Sequence, residues 1–244
     1  MIDRRALLTQ AAATFIASLS ASRAGALQGP VEDAFTNALR NVDPFCSQLR
    51  SDAISVEDWR NGLAHIFASL DPDDVRQAID FERLAARTGF AERGVATTGL
   101  SVSSENGQRF AFFPKFFAVG RGRAIIPHGH ANMISAHYTL RGRFHLRQFD
   151  RISIEHDALL IRPSIDRVIN EGELASIGDP DDNIHWFVAE EDSFTLDIIL
   201  TNLDAGAPSA FDIFNIDPMD ATDLGQDVWR APRLPVPEAL AKYG

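Results

Sequence analysis

With a single cysteine in 244 residues, the chain cannot form an intramolecular disulfide, so no oxidative staple contributes to its fold. That thiol, Cys46, is expected to serve as a small buried apolar side chain rather than as a nucleophile. Positive charge is also scarce: 23 Lys and Arg face 34 Asp and Glu, a formal charge of −11, and no basic cluster follows the first few positions. Neither the phosphate backbone of a nucleic acid nor an anionic lipid surface would be attracted to such a chain. The expected partner is therefore a small molecule. Long apolar runs are missing too; Ala6 to Ala21 is too short and too rich in Ala, Ser and Thr to span a bilayer, which argues against a permanent membrane anchor. The chain contains no internal repeat and no low-complexity tract.

The first residues carry a different signal. Arg4 and Arg5, set in Asp3-Arg4-Arg5-Ala6-Leu7-Leu8, precede the short apolar stretch, and Ala24-Gly25-Ala26 has the small-x-small form of a peptidase site. The paired arginines resemble a twin-arginine signal, so residues 1–26 are expected to be an export segment and the mature protein to be periplasmic or secreted. Cleavage after Ala26 removes three arginines and one aspartate and leaves the remainder more acidic still. Export of an already folded protein lets a metalloprotein take up its ion before it meets competing metals outside. The alternative is an amphipathic first helix that stays attached.

At 45% apolar content the rest of the chain can bury one substantial core. Residues 27–90 read as a helical segment. Ser55 is placed as an N-cap before Val56-Glu57-Asp58, and Trp59, Leu63, Ile66, Phe67 and Leu70 recur at helical spacing. Asp71 and Pro72 open a second helix that carries Val75, Ile79, Phe81 and Leu84 and stops at Gly89. Beyond it, in 91–216, short runs of β-branched and aromatic residues alternate with Gly, Pro, Asn and Asp, as in an all-β sandwich or barrel. Eight strands are expected: 96–103, 109–118, 123–127, 135–140, 143–150, 158–162, 183–189 and 194–201, a number that suits a jelly roll. Residues 217–244, with Pro218, Pro232, Pro235 and Pro237, read as an extended strap.

Four of the seven histidines fall between His128 and His145. In Pro127-His128-Gly129-His130 one residue separates two imidazoles, so on a strand both point to the same face and can grip one ion. The run continues through Ser135, His137 and Thr139 to Gly142, and some forty residues later Asp179-Pro180-Asp181-Asp182-Asn183-Ile184-His185 delivers a third histidine from a tight turn. By parity His137 faces inward with Ser135 and Thr139, where it could be a fourth ligand, a proton carrier or a donor to a ligand; Tyr138 faces the other way.

These residues resemble the two motifs of the cupin superfamily. The first, G-x5-H-x-H-x(3,4)-E-x6-G, is met from Gly122 through His128 and His130 to Gly142; the second, G-x5-P-x-G-x2-H-x3-N, is met from Pro180 to His185, with Asp182 where glycine is usual. The resemblance implies a mainly β, cupin-type jelly-roll barrel, to which the N-terminal helical segment is an addition, and a divalent metal held by His128, His130 and His185. Ser135 stands where the family places an acidic ligand, and Ala189 where it places asparagine. In that respect the chain is similar to the three-histidine thiol dioxygenases, the cysteine dioxygenase and 2-aminoethanethiol dioxygenase group, which implies Fe(II), dioxygen and a small anionic, thiol-bearing substrate. No cysteine follows the His pair, unlike the animal cysteine enzymes.

Three neutral imidazoles leave a divalent ion its full charge and open positions, so an anion is the favoured next ligand. Zn, Mn and Ni remain open beside Fe(II), and so do a non-catalytic metal- or ligand-binding role and an isomerase or hydrolase using His137 for proton transfer. Arg123, Arg141 and Arg143 are the arginines near enough in sequence to meet an anionic substrate. His65 reads as a packing or surface residue, His145 and His156 as polar bystanders, Phe112, Phe113, Phe116 and Phe117 as barrel core, and Asp179 to Asp182 as a solvated turn.

Overall fold

The computed structural model describes residues 30–102 and 109–244; the expected export segment lies outside them, as does residue 103 at the end of the first expected strand. Four helices come first: α1 (Pro30–Arg50), α2 (Val56–Ala68), α3 (Pro72–Ala78) and α4 (Phe81–Thr88). Along α1 the buried residues Phe35, Leu39, Val42, Cys46 and Leu49 keep helical spacing, and the Cys46 sulfur accepts from Trp59 Nε1 at 3.4 Å, so the thiol is core as expected. Burial drives its pKa up to about 12, which leaves no nucleophilic thiolate near neutral pH. Ser55 caps α2 through a reciprocal pair: its hydroxyl accepts from Asp58 N–H at 3.0 Å while the Asp58 carboxylate accepts from Ser55 N–H, also at 3.0 Å. Such a cap contributes about 1 kcal/mol. Asp71 accepts from Asp73 N–H at 2.8 Å, with Pro72 as the first helical residue. The second expected helix is in fact two, because Asp80 adopts a left-handed conformation at φ +52°. The bend turns Phe81 onto Phe116 and Phe194, at ring separations of 5.8 and 5.0 Å.

The β part contains β1 (Ala96–Gly99), β2 (Phe113–Val119), β3 (Ala124–Ala131), β4 (Met133–Arg141), β5 (Arg143–Ile154), β6 (Ala158–Asn170), β7 (Leu174–Ile177), β8 (Ile184–Ala189), β9 (Ser193–Thr201), β10 (Asp212–Asn215), β11 (Thr222–Asp223) and β12 (Trp229–Pro232). One sheet runs β1-β2-β9-β4-β7 and the other β10-β3-β8-β5-β6-β12-β11. From β2 to β9 successive strands assign β2, β4, β7 and β9 to the first sheet and β3, β5, β6 and β8 to the second, with antiparallel pairing throughout. That is the connectivity of a double-sheet jelly roll, so the chain is mainly β with helices added at its N-terminal end.

The first sheet is buried on both faces. Ala136, Tyr138, Leu140, Leu196 and Ile198 lie under the helices with Trp59, Leu63 and Phe67, and the Tyr138 hydroxyl donates to Leu70 O at 3.3 Å. The opposite face points into the barrel, where Phe117, Ile199, Phe144 and Phe187 form an inner core. Burial on both sides leaves every residue of β9 buried, its polar Ser193, Thr195, Asp197 and Thr201 included. Phe112 and Phe116 join the outer layer and Phe117 the inner core, but Phe113 is 39% exposed and is not core.

Several strands escaped the sequence pattern. β6 runs on to Asn170 instead of ending at 162; its outer half is polar, and Pro163 sits beside the register shift opposite Gln148 and Phe149, a position where proline costs no ladder bond. β10, just before the tail, pairs with β3, and the tail itself is no bare strap: β11 pairs with β12, β12 with β6, and α5 (Val236–Tyr243) closes the chain against β3. A third apolar cluster containing Ile184, Leu159, Ile161, Ile216 and Ala231 holds the tail to the sheet, which supplies the burial that its four prolines concealed. Among the described residues no helix is long and apolar enough to cross a membrane.

Candidate metal centre

β3 turns its side chains alternately, so His128 and His130 face the barrel interior while Gly129 faces outward. A bulge between Ile125 and His128 accommodates Pro127 and resets the register so that His128 lies directly opposite His185 on β8. The three rings meet there, with centroid separations of 4.2 Å for His128–His185 and 4.9 Å for each of the other two pairs. One nitrogen from each ring lies within 4.8 Å of the other two. His130 and His185 are fully buried, while His128 keeps some exposure.

Proton placement suits ligation. A carbonyl oxygen only accepts, so the His128 Nδ1 contact to Ile126 O at 2.7 Å and the His185 Nδ1 contact to Asn183 O at 3.3 Å place hydrogens on Nδ1 and leave both Nε2 lone pairs free. Buried Nδ1 of His130 has no hydrogen-bond partner, a costly state for a polar atom that an ion would relieve or that Nε2 ligation would leave as a donor. Burial pushes the His128 pKa down to about 4 and holds His130 and His185 well below the ordinary 6.5. All three are neutral at physiological pH, the form that binds metal.

The same shifts set a pH dependence. Folded-state values lie below the unfolded 6.5, so the unfolded chain takes up protons first as pH falls, and stability is lost from about 6.5 downward until His128 itself titrates near 4. Each imidazole contributes a slope of about 1.4 kcal/mol per pH unit within that window. Thermal melts of metal-free protein across this range are expected to show a steep fall in Tm, and a flat profile would contradict the burial of the trio.

Around His130 the backbone is clamped by a side chain. Asn183 is fully buried; its Oδ1 accepts from His130 N–H at 3.1 Å, and its Nδ2 donates at 2.9 Å to both His130 O and Gly178 O. Gly129 makes this possible, because a Cβ there would lie 2.7 Å from Asn183 Oδ1 and 3.0 Å from Ile184 Cγ1. Arg151 adds bonds to His130 O and to Asp179, and Asp179 accepts from Asn132 N–H at 3.0 Å. From α2, Arg60 reaches Asp182 at 3.0 Å and Asp181 O at 2.6 Å. The acidic run is therefore not the freely solvated turn expected; Asp179 and Asp182 brace the loop that delivers His185.

On the facing sheet His137 points inward as parity required, its ring 5.5 Å from His185 and 4.9 Å from Phe187. Its Nε2 is 3.3 Å from Ser135 Oγ and its Nδ1 is 2.7 Å from Asp197 Oδ2. Ser135 is buried beside it. The suspected arginines are engaged elsewhere: Arg141 pairs with Glu82 at 2.7 Å and covers the Phe81 ring, Arg143 pairs with Glu190 at 2.6 Å, and Arg123 contacts Gly244 O at 3.4 Å. His65 is exposed, and His145 has a partner after all in Asp166.

Sequence reasoning missed Asp197, Lys115, Asn183 and Arg151. Asp197 did carry a signal, since an aspartate in the middle of Phe194-Thr195-Leu196-Asp197-Ile198-Ile199-Leu200 must be buried and hence partnered. Arg151 and Asn183 carried none, because their roles depend on three loops meeting.

No family model matches the chain, and no curated protein does. Solved structures share local similarity. KdgF from Halomonas sp. is 18% identical with a TM-score of 0.31, over 43% of this chain and 77% of that one. A cupin superfamily protein from Desulfitobacterium hafniense DCB-2 is 15% identical with a TM-score of 0.33, over 48% and 86%. Procruciferin, an 11S globulin from Brassica napus, gives 15% and 0.36 over 52% and 28%. At such scores the fold rests on strand order and register, which are those of a double-sheet jelly roll with a three-histidine cluster that could hold a divalent metal.

Proposed function

We propose that the protein is a three-histidine metal cupin that acts as a ferrous oxygenase on a small anionic, thiol-bearing substrate, exported through the signal at residues 1–26. One observation carries the metal reading: His128, His130 and His185 converge as neutral, buried imidazoles with no carboxylate in their group. Such a set would hold the ion without reducing its charge, and Fe(II) is favoured over Zn, Mn or Ni on the strength of the family resemblance. Bound iron supplies a redox-active Lewis acid with open coordination positions. The chain's own residues do the rest. Phe117, Phe187 and Ile199 exclude water from the inner wall, and His137 Nε2 is the atom that takes up a proton beside the substrate.

Elemental analysis followed by anaerobic ferrous reconstitution tests this. The expected result is about one iron per chain and oxygen uptake with at least one member of a thiol panel. Uptake with none of them rejects the thiol version, and zinc as the resident ion with no turnover supports a non-catalytic binding role. A second reading, an isomerase or hydrolase in which the metal is only a Lewis acid, is favoured by the placement of His137 between Ser135 and Asp197. There, His137→Gln abolishes a redox-neutral reaction while metal content stays unchanged.

A further inference from the structure

We infer that Asp197 is the positioning residue that fixes His137 as its Nδ1–H tautomer, so that Nε2 is presented to the barrel interior as an acceptor, while His137 stays outside the ligand group formed by His128, His130 and His185. The argument starts from register. Lys115 on β2, Asp197 on β9 and His137 on β4 are direct neighbours across three strands and all face inward, with exposures of 1%, 0% and 3%. A carboxylate so deeply buried is expensive unless positive charge and hydrogen bonds compensate it. Lys115 lies across the ladder on one side, Thr195 Oγ1 donates to Oδ1 at 2.6 Å, and the remaining oxygen, Oδ2, meets His137 Nδ1 at 2.7 Å. Both of those atoms are buried and neither makes an aligned hydrogen bond to any group, so the close approach between them is the one polar contact that each has among those described.

The consequence is set by valence. An ionised carboxylate only accepts, so the hydrogen in this contact belongs to His137 Nδ1. A neutral imidazole with its hydrogen on Nδ1 has its lone pair on Nε2, which lies on the Ser135 side at 3.3 Å. Of the three roles parity left open for His137, ligation through Nδ1 is closed by Asp197, and Nε2, though its lone pair is free, stands outside the group of ligand atoms that lie within 4.8 Å of one another, so the acceptor role remains. Asp197 itself touches neither the trio nor the substrate position in this account; it acts through His137. The inference refines the reading of His137 given above but is independent of which ion occupies the trio.

Tautomers are read directly by long-range proton–nitrogen correlation on full-length protein labelled with 15N-histidine, metal-free and zinc-loaded. Wild type is expected to show His137 with pyrrole-type Nδ1 and pyridine-type Nε2 in both states, while zinc shifts one nitrogen each of His128, His130 and His185. In Asp197→Asn the Thr195 hydroxyl keeps the amide oxygen at the Oδ1 position, turning the NH2 toward Nδ1, and His137 is expected to switch to the Nε2–H form. Asp197→Glu, which restores an acceptor, is expected to restore the original tautomer. A wild-type Nε2–H tautomer, an unchanged tautomer in Asp197→Asn, or a zinc-induced shift at His137 would each overturn the inference. Should Asp197→Asn fail to fold, the wild-type tautomer and its zinc response still decide. Zinc leaving all of the trio unshifted would instead remove the metal reading and leave the Asp197 assignment standing.

Discussion

Replacing His185 with alanine is expected to empty the metal centre. Structural metal sites bind with roughly 10–16 kcal/mol shared among their ligands, so loss of one imidazole removes about 3–5 kcal/mol, a drop in affinity on the order of a thousandfold. The neighbours do not compensate, since the residue opposite His185 on β5 is Gln148, whose amide is committed to Ser176 O at 3.0 Å and Asp182 O at 3.2 Å. Dialysis against buffered metal and elemental analysis of His185→Ala beside wild type gives the comparison. Because His185 must be buried neutral in the folded protein, the metal-free variant is also expected to be less sensitive to mild acid than wild type. Retention of one ion per chain at wild-type affinity would mean that His185 is not a ligand.

Asn183→Ala is expected to cost nearly as much by a different route. The side chain carries hydrogen bonds to His130 N–H, His130 O and Gly178 O in a fully buried setting, and alanine offers none of them. Stranding such groups costs about 2–4 kcal/mol, which for a domain of this size lowers Tm by roughly 5–15 °C. His130 also loses the brace that sets its ring, and outer partners of metal ligands typically contribute a factor of about 10–100 in affinity. Calorimetric Tm and a metal titration on the same variant check both figures. Asn183→Asp keeps the acceptor for His130 N–H and Arg151 and fails only on the donor side, so it should fall between alanine and wild type. An Asn183→Ala protein with unchanged Tm and affinity would show the clamp to be idle.

How much of this could be read from the sequence followed from the range of the interactions involved. The α2 cap at Ser55, the start of α3 at Asp71-Pro72 and the inward parity of His128, His130 and His137 are local properties of helix and strand, and the structure bears them out. So is the delivery of His185 by a turn at Pro180. What escaped was fixed by distant contacts. Phe81 belongs to a separate helix because its ring seeks Phe116 and Phe194 on another element. The polar outer half of β6 is a strand because β5 pairs with it residue for residue, not because its own residues favour extension. Arg151 reaches His130 and Asp179 from a strand whose sequence gives no hint of either.

The short strand β10 changes the standing of β3. Asp212 to Asn215 pair with Ala131 to His128, so Ile213 lies opposite His130 and Asn215 opposite His128. Without that ribbon, β3 would be the open margin of its sheet, its amides and carbonyls free to fray into water or to template another chain. This short strand, which the sequence pattern did not single out, is thus a selvage, and the two histidines woven just inside it hold their line because the border does.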